Sequence, residues 1–142
     1  MKSLITVVGT LIAILAVGCS RQQVDEQSAS GPSSPTSVVV LDESNFDAEI
    51  QDGVVLVDFW ATWCGPCKTQ GPIVEDVAGQ VQGRAKVAKI DVDTAPKVAQ
   101  RFNIRNIPTL VVFKDGKPGK QFVGITKAET LVAALTAALD SQ

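Results

Sequence analysis

The chain has 142 residues, 45% of them hydrophobic and 20% charged, which bounds it to about one domain with enough apolar material for a packed core. Its formal net charge is −2 and it carries no long basic run, so no nucleic-acid partner is expected. It contains no His, which removes the commonest metal ligand and the commonest general base.

The first element is apolar. Lys2 precedes Leu4 to Gly18, LITVVGTLIAILAVG, whose 15 residues fall short of the roughly 20 that a membrane-spanning helix needs. A basic start, a short apolar core and small residues at its end predict an export signal over residues 1–18, with an uncleaved anchor helix as the alternative. Ala16-Val17-Gly18-Cys19 resembles the lipobox of bacterial lipoproteins, although Leu is commoner than Ala at the third position before the cut. That resemblance implies cleavage before Cys19 and a diacylglycerol on its sulfur. Two or three acyl chains anchor firmly where one would be marginal. Removing Lys2 from the 13 basic residues leaves 12 against 15 acidic ones, a formal −3. Residues 20–37, SRQQVDEQSASGPSSPTS, hold six Ser and two Pro, and only Val24 and Ala29 are apolar. Such a segment cannot bury enough surface to offset its ordering entropy. Residues 19–37 therefore predict a lipidated Cys19 and a flexible tether with a reach of about 20–25 Å, followed by a folded domain over 38–142.

Within that domain, Val38 to Leu41 predicts a short strand, and Ser44 with Asp47 a helix start. Val54 to Trp60, VVLVDFW, is a nearly continuous apolar run, as expected for a strand covered on both faces. A helix is expected from the cysteine pair to about Gln82, with Ile73, Val77 and Val81 on one stripe, Val74 beside it and Pro72 inside it. Lys86 to Val92 predicts a second central strand. Thr94 is expected to cap a short helix with Pro96 in its first turn. Pro108 to Phe113 predicts a third strand. Asp115-Gly116 is a hairpin turn, and Lys120 to Val123 the returning strand, with Pro118 suited to an edge. Thr126 and Glu129 predict a capping box for a last helix carrying Leu131, Val132, Leu135, Ala138 and Leu139 on one side. The order β-α-β-α-β-α-β-β-α predicts an α/β fold, a central mixed sheet with helices on both faces.

The chemistry concentrates at Trp63-Cys64-Gly65-Pro66-Cys67. A CxxC pair can be half of a zinc site, an inert structural disulfide, a coincidence or a redox dithiol. Zinc wants four ligands, and here there is no His and the third cysteine is Cys19. The redox reading has a local physical case. A helix starting near Cys64 points free N–H groups and the positive end of its dipole at the first sulfur, which favours the attacking thiolate. Pro66 suits a first helical turn. Gly65 lets the backbone turn tightly and is expected to leave Cys64 uncovered. The i, i+3 spacing sets Cys67 one turn further on the same helix face. Asp58 sits inside the apolar run. It is either a charge at an exposed edge or, since Val54, Leu56 and Trp60 share its face, a buried carboxyl with a raised pKa. Lys89 interrupts Val87-Ala88-Lys89-Ile90 and can equally face solvent. Ile107-Pro108, on residues alone, predicts a trans bond.

The segments VDFWATWCGPCK, VAKIDVD, FNIRNIPTLVVFKDGK and FVG resemble the thioredoxin family in order and spacing over all of 38–142. The resemblance implies the thioredoxin fold and thiol–disulfide exchange on protein substrates, with no cofactor and no metal. It makes Cys64 the attacking thiol, Cys67 the resolving one, and the two together the redox disulfide. It has Asp58 assist deprotonation of Cys67 with Lys89 beside it, and Trp63, Gly65 and Pro66 support the pair. It turns Ile107–Pro108 cis and facing the dithiol, where Trp63, Gly65, Pro66, Ile107, Pro108, Gly124 and Ile125 form an apolar docking patch. Core packing is the alternative for Ile107 and Ile125. Thr69-Gln70-Gly71 departs from a commonly apolar tripeptide before Pro72. Combined with the lipobox, the expectation is a monomeric, lipid-anchored bacterial reductase in the cell envelope, facing the periplasm or exterior and fed by a thiol relay or reductase. An envelope disulfide oxidase or isomerase, or a non-catalytic binding or chaperone module, is the alternative.

Overall fold

A computed structural model describes residues 38–141. The expectations for the export signal, Cys19 and the tether lie outside the described residues.

Strand β2 (Val54–Trp60) is the centre of the molecule, and all of it is buried except the half-buried Trp60. It lies between β3 (Lys86–Asp91), parallel to it, and β4 (Thr109–Lys114), antiparallel. A short β1 (Val39–Leu41) adds in parallel to β3, and β5 (Lys117–Val123) in antiparallel to β4, giving the order β1-β3-β2-β4-β5. The two-residue period of β2 sorts its side chains into two cores. Val55, Val57 and Phe59 pack beneath α1 (Phe46–Ile50) and α3 (Pro96–Arg101), where Phe46, Phe59, Phe102 and Phe113 cluster with centroids 5.1–6.4 Å apart. Val54 and Leu56 pack beneath α2 (Gly65–Gln80) and α4 (Ala128–Asp140), against Val74, Val77, Leu131 and Leu135. Asp58 has the parity of Val54 and Leu56 and so points beneath α2.

The expected elements are all present, with corrected ends. α1 starts at Phe46. Ser44 does not cap it; Asp42 accepts from the Ser44 and Asn45 N–H groups and from the Ser44 hydroxyl. Ala95 stands at the N-cap of α3, because the Thr94 hydroxyl donates back to the Asp91 carbonyl. No capping box forms at α4, whose N-cap is Lys127; the Thr126 hydroxyl donates to the Gly124 carbonyl. In each case a short hydroxyl side chain finds a nearer partner upstream of the helix. α2 runs through Pro72 but stops at Gln80. β4 starts at Thr109, one residue after Pro108, and β5 is three residues longer than expected. Asp115 and Gly116, at φ 48° and 76°, form the hairpin turn, where two left-handed residues match the twist of the strands. β5 is an edge strand, which is why Pro118 is tolerated in it.

Gly79 is exposed on α2, and a Cβ built on it meets nothing within 4 Å. Gly79→Ala is expected to raise unfolding stability by about 0.5–1 kcal/mol in urea titrations, by narrowing the unfolded ensemble. A loss of stability would contradict the helical geometry at that end.

Candidate active site

The C-terminal end of β2 delivers the chain into a tight turn, in which the Cys64 N–H donates to the Ala61 carbonyl at 3.2 Å. α2 begins immediately after. Cys64 is its N-cap, with extended backbone, and its sulfur accepts from the Cys67 N–H at 3.2 Å. That N–H is one of those a helix start leaves without an intrahelical partner, so the sulfur occupies the place of a capping oxygen. Gly65 and Pro66 form the first turn and bring the Cα atoms of Cys64 and Cys67 to 5.3 Å, where the sulfurs are bonded. The expectation that Cys64 is uncovered is corrected. In this oxidised pair Cys64 is 4% exposed, as is Cys67, and both pack with Ala61 against Trp60, Val92 and Ile107.

What is exposed is part of the rim: Trp63 and Ile125 stand out, Ile107 and Gly124 are half-buried, and Pro108, expected in the docking patch, is buried. Trp63 is 68% exposed, and its indole N–H donates to the Asp93 carboxylate at 2.7 Å. Asp93 lies in the VAKIDVD segment, but its sequence offers no sign of a partner 30 positions away. The Ile107–Pro108 peptide is cis, overturning the trans expectation from the residues alone. Ile107 is half-buried against the cysteine cluster, so core packing accounts for part of it. The Pro108 carbonyl accepts from the Gly124 N–H at 2.8 Å, which joins the cis-proline turn to the β5–α4 loop. Gly124 has φ 88°, a conformation in which a side chain would be strained. Beside it Ile125 is 53% exposed. The dithiol, cis proline and loop are therefore linked contact by contact. A groove of about 740 Å³ between α4 and the β4–β5 hairpin shares no residue with this arrangement.

Beneath the site, Asp58 is 3% exposed, and its Oδ1 has no hydrogen-bond partner among the described residues. The buried alternative therefore holds. Burial pushes its pKa up from 3.8 to about 7, against the opposing pull of the Lys89 charge. Lys89 is its register partner on β3, half-buried, with its ammonium 5.7 Å from the centre of the Trp60 ring. Asp58 and Lys89 line a cavity of about 30 Å³ with Val38, Gly71, Val74 and Glu75, room for about one water. Gly71 is four residues past Cys67 on α2, so this cavity lies under the dithiol helix.

Gln70 reads in the sequence only as a polar departure. In the structure it is fully buried. Its carboxamide accepts from the Thr126 N–H at 2.8 Å and donates to the Thr126 carbonyl at 3.2 Å.

This geometry can be set beside known proteins. Residues 37–137 match the thioredoxin family model. The thioredoxins of Staphylococcus haemolyticus and Staphylococcus saprophyticus are each 50% identical over 99 residues, which is 70% of this chain and 95% of theirs. That of Staphylococcus aureus is 44% identical over the same length. In three dimensions the chain superposes on a mutant thioredoxin from Halobacterium salinarum with a TM-score of 0.71 and 35% identity, covering 79% of this chain and 99% of that one. A disulfide-bonded cysteine pair at a helix start, a cis proline beside it and relatives matched over nearly their whole length agree: this chain belongs to the thioredoxin family of protein thiol–disulfide oxidoreductases.

Proposed function

We propose that this protein is a lipid-anchored thioredoxin that reduces protein disulfides in a bacterial cell envelope, facing the periplasm or exterior. The observation that carries the reductive chemistry is the Cys64 sulfur seated at the start of α2 and accepting from the Cys67 N–H, because that position favours negative charge on it.

The reduced Cys64 thiolate attacks one sulfur of a substrate disulfide. A Cys64–substrate disulfide forms, and the first substrate thiolate leaves. Cys67 passes its proton to the Asp58 carboxylate and attacks the Cys64 sulfur. The Cys64–Cys67 disulfide closes, and the second substrate thiolate departs. Two electrons have moved from the dithiol to the substrate. A thiol relay or reductase of the dithiol class returns them. A pKa near 7 makes Asp58 a proton acceptor and donor at ambient pH, and Lys89 keeps that value from rising further. Trp63, Ile107, Pro108, Gly124 and Ile125 dock the substrate, with Gly65 and Pro66 shaping the turn. The Ile107 backbone pairs with an extended substrate segment in the manner of an added strand.

The anchor rests on the lipobox resemblance at Ala16 to Cys19 and is tested separately. In cells fed a labelled fatty acid, the parent protein is expected to carry label and to sediment with membranes, and Cys19→Ala to lose both. Label persisting on Cys19→Ala would overturn the anchor without touching the dithiol chemistry.

A further inference from the structure

The amide of Gln70 is placed to do more than fill space. It lies on α2 three residues past Cys67, and it bonds both main-chain groups of Thr126, 56 positions away. Thr126 ends the loop whose other end is fixed by the Gly124 N–H on the Pro108 carbonyl. Ile125, more than half exposed, lies between these two fixed points. Side chain and backbone thus form a two-way hydrogen-bonded pair, like one rung of a sheet ladder. The rung ties the docking loop to the helix that carries the dithiol. An apolar side chain of the same size would fill the space but leave both Thr126 main-chain groups without this partner. The loop would then be held by the Pro108 carbonyl and by its run into α4, and no longer bonded to the dithiol helix.

We propose that Gln70 is a positioning residue that presets the Gly124–Thr126 loop for protein substrates. The inference rests on the docking reading above. A preset loop binds an extended chain without first being ordered, so the rung lowers KM for protein disulfides. A small aromatic disulfide, which needs only the sulfur, should be indifferent to it.

The test compares the parent with Gln70→Met and Gln70→Glu on insulin and on a small aromatic disulfide, with the Cys64–Cys67 potential measured in each. Gln70→Met is expected to raise KM for insulin about five- to tenfold with kcat unchanged. Its small-disulfide rate should stay within about twofold and its potential should not move. Gln70→Glu keeps the acceptor for the Thr126 N–H, but when ionised it sets a second oxygen against the Thr126 carbonyl. Its KM relative to the parent at the same pH should fall back toward one as the pH drops and the carboxyl gains a proton that it can donate. This variant carries the test alone if Gln70→Met does not fold. An unchanged insulin KM in folded Gln70→Met, or in Gln70→Glu at alkaline pH where its carboxyl is ionised, or an equal fall in both substrates' rates, would overturn the proposal. A parent that reduces the small disulfide but shows no saturation with insulin would instead overturn the docking reading.

Discussion

Cys64→Ser is expected to lower the rate of insulin reduction by on the order of 10³-fold or more, because it removes the group that forms the first covalent bond. Cys67→Ser is expected to fail differently. Its Cys64 can still attack, but nothing resolves the product, so a Cys64–substrate disulfide accumulates. Intact-mass analysis of Cys67→Ser mixed with a protein disulfide should therefore show one substrate bound, and Cys64→Ser under the same conditions none. Turnover surviving in Cys64→Ser, or an adduct that forms without Cys64, would contradict the assignment of the attacking thiol. The same pair of variants separates catalysis from a scaffold role: a chaperone or binding module would keep its activity in both.

Asp58→Asn is expected to make the protein more stable and slower. Burial raises the carboxyl from 3.8 to about 7 in the folded chain. Between those values the unfolded chain has lost the proton and the folded chain has kept it, so the parent loses stability as pH rises from about 4 to about 7. Above about 7 the folded protein carries a buried charge, and the loss is complete. The direction is opposite to that of an ordinary salt-bridged aspartate. A neutral amide of the same shape escapes this. At pH 8 Asp58→Asn should be more stable than the parent by roughly 2–4 kcal/mol, the upper value being about three pKa units at about 1.4 kcal/mol each, and the gap should close toward about pH 4. Turnover of a protein disulfide should fall severalfold near neutral pH, since the Cys67 proton has lost its acceptor. Denaturant titrations at both pH values check the first part, and unchanged turnover would remove Asp58 from the proton path.

Much of this is legible in the sequence because the informative residues interrupt simple patterns. Asp58 stands out in VVLVDFW, and the two-residue period sets it on one face with Val54, Leu56 and Trp60, so burial can be argued; that α2 is the helix over that face comes from the structure. The cysteine pair follows directly from the strand, so the helix start and its electrostatics can be argued from spacing. The cis bond at Pro108 cannot. The trans form is the commoner by intrinsic energy, and the preference is reversed only by tertiary surroundings, so the resemblance alone points to it. The role of Gln70 stays hidden for a related reason. A polar residue on a helix carries no mark of whether it faces water or a backbone 56 positions away. The burial of Cys64 escapes a reading of Gly65 alone, because Ala61, Trp60, Val92 and Ile107 close around the sulfurs. The helix caps fail at Ser44, Thr94 and Thr126 because each hydroxyl bonds upstream, a choice that pattern matching does not resolve.

The direction of electron flow is tested most directly by the redox state of Cys64 and Cys67 in intact cells. Acid quenching followed by alkylation with a mass-tagged maleimide counts free thiols on the protein as it stands. A reductase supplied with electrons predicts a pair that is mostly reduced at steady state. A pair that is mostly oxidised, in cells where a dithiol donor is shown to reduce other proteins of the same compartment, would contradict it and make the protein an oxidant of its partners.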